Sequence, residues 1–202
     1  MMKNDILFAS IAIMVVLIAL GAFFISPALG NPSIVSREAP LYKNTYFQLA
    51  PGQTYIYSVT MSNNTANATY RIGEGDGCTL VRLMESVNFS GACLDRFGMD
   101  DAGFNSSVGK PPILMFQPWM LALKDGWTWN STMYLSFDGR LKRVSQSSYR
   151  VIRLENYSGR QAYVVELKTD GSTDYEWVDA ERRILLKMTG QGYEIDLKED
   201  GG

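Results

Sequence analysis

Residues 127–179 read WTWNSTMYLSFDGRLKRVSQSSYRVIRLENYSGRQAYVVELKTDGSTDYEWVD, and three dipeptides inside that stretch set the fold. Asp138-Gly139, Ser158-Gly159 and Asp170-Gly171 are turn pairs that accept positive φ, and each stands between runs rich in aromatic and β-branched residues. The runs they separate, 127–137, 140–154, 161–169 and 172–178, are therefore expected to be strands joined by tight hairpins. In the first run Trp127, Trp129, Met133, Leu135 and Phe137 alternate with Thr128, Asn130, Thr132, Tyr134 and Ser136. A period of two places one set on a core and the other in water.

The pattern continues in both directions. Downstream, Asp179 to Arg182 and Gly190 to Gly192 set off strands at 183–189 and 193–198, the last alternating Tyr193, Ile195 and Leu197 with Glu194, Asp196 and Lys198. Upstream, Tyr55, Tyr57, Val59 and Met61 alternate with Ile56, Ser58 and Thr60, and Ala66, Ala68, Tyr70 and Ile72 with Asn67, Thr69 and Arg71. Sequential hairpins make an antiparallel meander, and eight to ten strands with one-sided apolar faces must curl or close to bury them. The fold class is mainly β: a curved antiparallel meander or unclosed β-barrel.

One segment breaks the rhythm. Residues 110–124, KPPILMFQPWMLALK, are dense in large apolar side chains, and Pro118 suits the first turn of a short helix through Trp119, Met120, Leu121 and Leu123. That helix is expected to cover the concave side of the sheet. Met115, Phe116, Trp119, Met120, Trp127 and Trp129 are the residues expected to line an apolar ligand cavity there, because flexible methionines and aromatic faces adapt to varied shapes. The competing reading makes the same residues plain core.

Ahead of the β-region, residues 6–25 (ILFASIAIMVVLIALGAFFI) carry no charge. Twenty helical residues span roughly 30 Å, a bilayer's hydrocarbon thickness. The run exceeds the roughly seven to fifteen apolar residues of a cleaved leader, although Ala28 and Gly30 are spaced like a processing site. The expected organisation is an N-terminal transmembrane anchor in 1–30, a Pro- and Ser-rich linker over 31–44, and a β-domain in 45–202. Lys3 and the amino terminus before the run agree with an N-terminus on the cytoplasmic side.

Asn63, Asn67, Asn88, Asn105, Asn130 and Asn156 each open an Asn-x-Ser/Thr triplet without proline. Ten asparagines would produce only about one or two such acceptors by chance. In two strands, Asn67 and Asn130 fall on the polar parity, so the acceptor pattern and the strand register agree. Cys78 and Cys93, the only cysteines, are expected to form a disulfide, which needs an oxidising compartment. These features place the domain outside the cytoplasm.

The order of these elements resembles exported bacterial and archaeal proteins similar to the LolA/LppX lipoprotein-carrier superfamily. The resemblance rests on Pro51-Gly52-Gln53-Thr54-Tyr55-Ile56-Tyr57, the apolar segment leading into Gly126-Trp127-Thr128-Trp129, Gly159-Arg160-Gln161-Ala162-Tyr163-Val164-Val165, Tyr175-Glu176-Trp177-Val178-Asp179 and Ile184-Leu185-Leu186-Lys187. It covers roughly residues 45–198 and implies an unclosed barrel with helices over its mouth and a cavity for acyl chains. This chain departs from the carriers in having its own apolar anchor and a smaller lid.

Composition removes several classes. Nineteen basic against 21 acidic residues, interspersed, give a net charge of −2 and no basic stripe for nucleic acid. There is no histidine, so His-based triads and His-ligated metals are excluded, and paired cysteines leave no thiol nucleophile. Gly73-Glu74-Gly75-Asp76-Gly77 lacks the ligand spacing of a calcium loop and reads as a turn. Asp100, Asp101, Asp179 and Glu181 read as solvated turn residues. No enzyme, cofactor or metal is expected. Two functions remain: an anchored binding module for lipid, another apolar ligand or a membrane-protein partner, and a structural or pilin-like surface subunit.

Overall fold

The computed structural model describes residues 32–36, 48–62, 64–84, 92–95, 115–137 and 140–201, with the backbone alone for 32–36, 131–137 and 140–145. Among these described residues eleven strands form one antiparallel sheet: β1 Pro32–Ser36, β2 Thr54–Met61, β3 Asn64–Glu74, β4 Thr79–Leu83, β5 Ala92–Leu94, β6 Thr128–Phe137, β7 Arg140–Tyr157, β8 Arg160–Thr169, β9 Ser172–Asp179, β10 Leu185–Gly190 and β11 Tyr193–Gly201. Their order is β1-β6-β7-β8-β9-β10-β11-β2-β3-β4-β5. The meander therefore runs from β6 to β11, and the N-terminal hairpins are added on the far side of β11. The sheet is unclosed, with β1 and β5 at its ends.

Two of the three turn pairs stand at hairpins, while Asp138 and Gly139 lie outside the described residues. Ser158 and Gly159 have φ of 50° and 83°, and Asp170 and Gly171 46° and 89°, the double positive φ that matches a two-residue turn to the strands' twist. The expected linker over 31–44 contributes its first residues to the sheet, because Pro32–Ser36 pairs with β6. Proline is tolerated there because an edge strand has one unpaired side.

Laid flat, eleven strands would extend roughly 48 Å at about 4.8 Å per step. One apolar cluster nevertheless joins Tyr55 and Val59 of β2, Val81 of β4, Leu94 of β5, Val165 of β8 and Met188 of β10. The sheet must curl for these to meet, and bulges in the pairings β6/β7, β7/β8, β9/β10 and β11/β2 supply local bend and twist.

Pro118–Ala122 forms a 3-10 helix, with Pro118 in its first turn as the sequence reading expects. It is seated against the inner face: Leu185 N–H donates to Met115 O at 2.8 Å, and the Arg183 guanidinium donates to Leu123 O at 3.0 Å. Beside it the buried Tyr57 hydroxyl donates to Leu185 O at 2.7 Å.

Cys78 and Cys93 are bonded, with Cα atoms 5.5 Å apart, tying the β5 edge to the turn before β4. Gly75 belongs to the same turn, and a Cβ there would lie 2.5 Å from Cys78 Sγ, so the glycine permits the close approach. Asp179 corrects the sequence reading: it is buried, accepts from the backbone N–H groups of Glu181 and Arg182 at 2.8 and 2.9 Å, and faces Arg160. Glu181 is exposed as expected. Asp100 and Asp101 lie outside the described residues, as does the 6–25 run. Among the described residues no helix is long and apolar enough to cross a membrane.

Candidate functional site

Antiparallel pairing puts partnered residues on the same face of a sheet, so the inner surface can be read row by row. Nearest the β7–β8–β9 rim, Ser147, Thr169 and Ser172 are aligned. The next row inward holds Trp129, Tyr149, Leu167 and Asp174. The one after that holds Val151, Val165, Glu176, Met188, Ile195 and Val59. Two carboxylates thus occupy the apolar parity of β9, beside Val178, and both are buried: Asp174 is 8% and Glu176 1% exposed.

Trp129 and Tyr149 share the row of Asp174, and two further rings, Trp119 and Trp127, pack on them. Trp119 from the 3-10 helix stacks on Trp127 with centroids 5.8 Å apart and planes at 16°. It also contacts Tyr149 at 5.1 Å, and Tyr149 contacts Trp129 at 4.8 Å. Trp129 and Tyr149 are half-buried and lie toward the rim, whereas Trp119 and Trp127 lie in the core. On the other flank Gly190 has no side chain, and Asp174 Oδ1 and the Tyr193 ring fill that space, so a Cβ at Gly190 would overlap both.

The electrostatics follow from burial. Desolvation first, then the neighbouring Asp174 charge, pushes the Glu176 carboxyl up to about 8. Asp174 is raised too, by burial, with the Tyr193 hydroxyl opposing. Tyr149 and Tyr193 are pushed far above the ordinary phenol value, chiefly by burial and then by these carboxylates. Glu176 Oε2 is inaccessible and lacks a hydrogen-bond partner, and among the described residues no lysine or arginine pairs with this carboxylate. A buried polar oxygen in that state costs about 1 to 3 kcal/mol or more, so its retention asks for an explanation.

The rim itself is open. A cleft of about 740 Å³ is lined on one side of the sheet by Ser147, Thr169 and Ser172 and on the other by Asn130, Ser148, Lys168 and Thr173. It lies one inward-facing row from Trp129, Tyr149 and Asp174.

The six residues expected to line an apolar cavity are brought together here, but mostly as core. Met115 and Met120 are 0% exposed, and Phe116, Trp119 and Trp127 are buried. A side chain bordering a void of even one water would retain accessible area, so Met115 and Met120 face packed atoms. Trp129 alone of the six reaches the rim. Asn67 and Asn130 are exposed, in keeping with their polar parity, and so is Asn156, whose Oδ1 accepts from Gly159 N–H at 3.0 Å within its hairpin. Asn63, Asn88 and Asn105 lie outside the described residues. Among the described residues no three His, Cys, Asp or Glu side chains gather as a metal site.

Asp174, Glu176, Tyr149 and Tyr193 were not among the expected site residues. The signal was present in STDYEWVD, where Asp174 and Glu176 share the parity of Val178. A carboxylate pair on the inward parity is what alternation alone makes unusual.

No protein-family model matches this chain, and no curated protein does. Among solved structures, it is similar to an exported protein with a YmcC-like fold from Bacteroides fragilis, at 11% identity and a TM-score of 0.41, over 78% of this chain and 99% of that one.

Proposed function

We infer that this chain is an extracytoplasmic binding module, tethered through residues 6–25, that takes an amphipathic ligand at the inner-face cluster of Trp129, Tyr149, Asp174 and Glu176. The observation that supports the reading is the buried Glu176 carboxyl, whose Oε2 has no hydrogen-bond partner, one row inward from the half-buried Trp129 and Tyr149. A domain serving only as a structural subunit gains nothing from a buried unsatisfied carboxyl, and an apolar residue of similar volume there would be more stable. The Cys78–Cys93 bond and the exposed acceptor asparagines support the location, since disulfides persist in oxidising compartments. An unclosed sheet with a short helix over its inner face agrees in architecture with the lipoprotein-carrier resemblance, and the apolar body of the ligand belongs along the aromatic stack.

A second reading is favoured by the packing of Met115–Leu123, which fills the concavity as core and suits an anchored structural subunit. Tryptophan fluorescence separates the two. Trp119, Trp127 and Trp129 lie in the cluster, and the remaining tryptophan, Trp177, lies on the opposite face. A bromine-terminated fatty alcohol, which quenches on contact, should quench saturably in the full chain and much less in Trp129→Ala. Linear, non-saturating quenching that is equal in both proteins would favour the structural subunit.

A further inference from the structure

We propose that the end of the β1–β6–β7 arm bearing Arg140, Lys142 and Arg143 docks on anionic phospholipid headgroups of the membrane that tethers the chain. The proposal rests on the reading that residues 6–25 span that membrane, and it adds a surface at which the β-domain itself meets lipid.

Strand pairing builds the arm. β7 is 18 residues long, but β8 pairs with it only from Ser147 onward, so Arg140–Gln146 continue past the β8–β9 turn with β6 as their partner. Over the same stretch β6 pairs with β1, Met133–Phe137 lying against Ser36–Pro32. At about 3.3 Å per residue the arm reaches roughly 20 Å beyond that turn.

The register decides which end of the arm is near the lipid. Pro32 pairs with Phe137 and Phe137 with Arg140, so the first residues of β1 and β7 share one row, two strand spacings or about 10 Å apart. Six residues separate Ile25, where the uncharged run ends, from Pro32. Even fully extended, that link reaches at most about 25 Å, of which the headgroup zone takes about 6 Å. Arg140 therefore lies within about 30 Å of the headgroup surface, and closer for any link short of full extension.

The charge of the arm suits an anionic surface. Residues 32–36, 131–137 and 140–146 hold three cations and no carboxylate, and Asp138 is the one acid within 131–146. The whole chain carries −2, so the positive excess is local to this end. Tyr134 and Phe137, paired with Val35 and Pro32, add aromatic residues of the kind that favour the membrane–water interface. Each basic residue at an anionic surface favours association by about fivefold, so three give about a hundredfold. Salt sets the range: the Debye length is about 30 Å at 0.01 M and about 3 Å at 1 M, which covers the whole reach of the link in the first case and almost none of it in the second. Basic residues beside an unpaired strand edge also deter pairing with other chains, but that role is indifferent to lipid.

The experiment places the full chain in lipid nanodiscs of phosphatidylcholine, with or without phosphatidylglycerol and with a trace of lipid spin-labelled at the headgroup. A fluorophore is attached at Ser136→Cys, one row from Arg140, or at Ser158→Cys in the hairpin at the opposite end of β7. The expected result is quenching at position 136 at least about fivefold stronger in the anionic discs at about 0.01 M salt, lost at about 1 M. Position 158 should stay unquenched, and Arg140→Gln/Lys142→Gln/Arg143→Gln, checked for an unchanged melting point, should lose the preference for anionic discs. Quenching at 136 that is equal in both lipids and at both salts would overturn the docking, since the link alone would then explain the proximity. No quenching in either lipid, with the chain still held in the disc, would overturn the docking and leave the tether standing. A chain that does not stay with the discs would overturn the tether itself.

Discussion

Replacing Glu176 by glutamine tests the buried carboxyl through stability alone. The folded protein holds this proton up to about pH 8, against an ordinary value of 4.5. Folded-state affinity for the proton is the higher one, so the benefit is complete below the unfolded value and is lost as pH rises through the folded one. Between those limits the unfolded chain has released a proton that the folded chain still keeps, and stability falls by about 1.4 kcal/mol per pH unit. Over that window the loss is about 5 kcal/mol, a large share of the roughly 5 to 15 kcal/mol that holds a typical domain together. Glutamine has no proton to lose and should flatten the decline between pH 5 and 8, leaving the variant several kcal/mol more stable than the parent at pH 8 to 9. Urea denaturation at half-unit steps of pH reads this directly. Parallel curves for parent and variant would show that Glu176 titrates like a solvated carboxylate and would refute the burial argument.

Trp119→Ala should cost about 3 to 5 kcal/mol, because a 1% exposed indole stacked on Trp127 and tilted against Tyr149 leaves a cavity that its neighbours cannot fill; a melting point unchanged within error would count against the packing. Reduction of Cys78–Cys93 should lower stability by about 3 kcal/mol, as expected for a loop closed by residues 15 apart, read by denaturation with and without reductant. Tyr57→Phe should cost about 1 kcal/mol, since it removes the donor to Leu185 O while keeping the ring; no change on thermal melting would mean that the bond contributes nothing.

The sheet was legible in the sequence because period-two alternation and turn dipeptides are local signals. Strand limits in the hairpins β7–β8 and β8–β9 follow the Ser158-Gly159 and Asp170-Gly171 pairs within a few residues. What local pattern could not supply was partner choice across distance. The placement of β11 against β2 depends on how the whole sheet curls, and so does Pro32–Ser36 joining β6. The covering segment was read as short, Pro118-initiated and inward, as the Pro118–Ala122 helix is, whereas the depth at which its residues are buried was not legible, because packing is a property of the whole. The acidic pair was missed for a different reason. Asp174 and Glu176 look like ordinary surface charges until the parity of Val178 is used to turn them inward. Asp179 was likewise taken for a solvated turn carboxylate, although its two backbone donors and Arg160 make it a buried anchor.

The most direct test of the central claim is native mass spectrometry of the full chain purified gently from cells, compared with Glu176→Gln prepared the same way. The account expects the parent to carry a small bound molecule that dissociates on collisional activation, and the variant to fly bare. A bare parent, or a ladder of subunits with no added mass, would contradict it and leave a structural surface subunit as the better account.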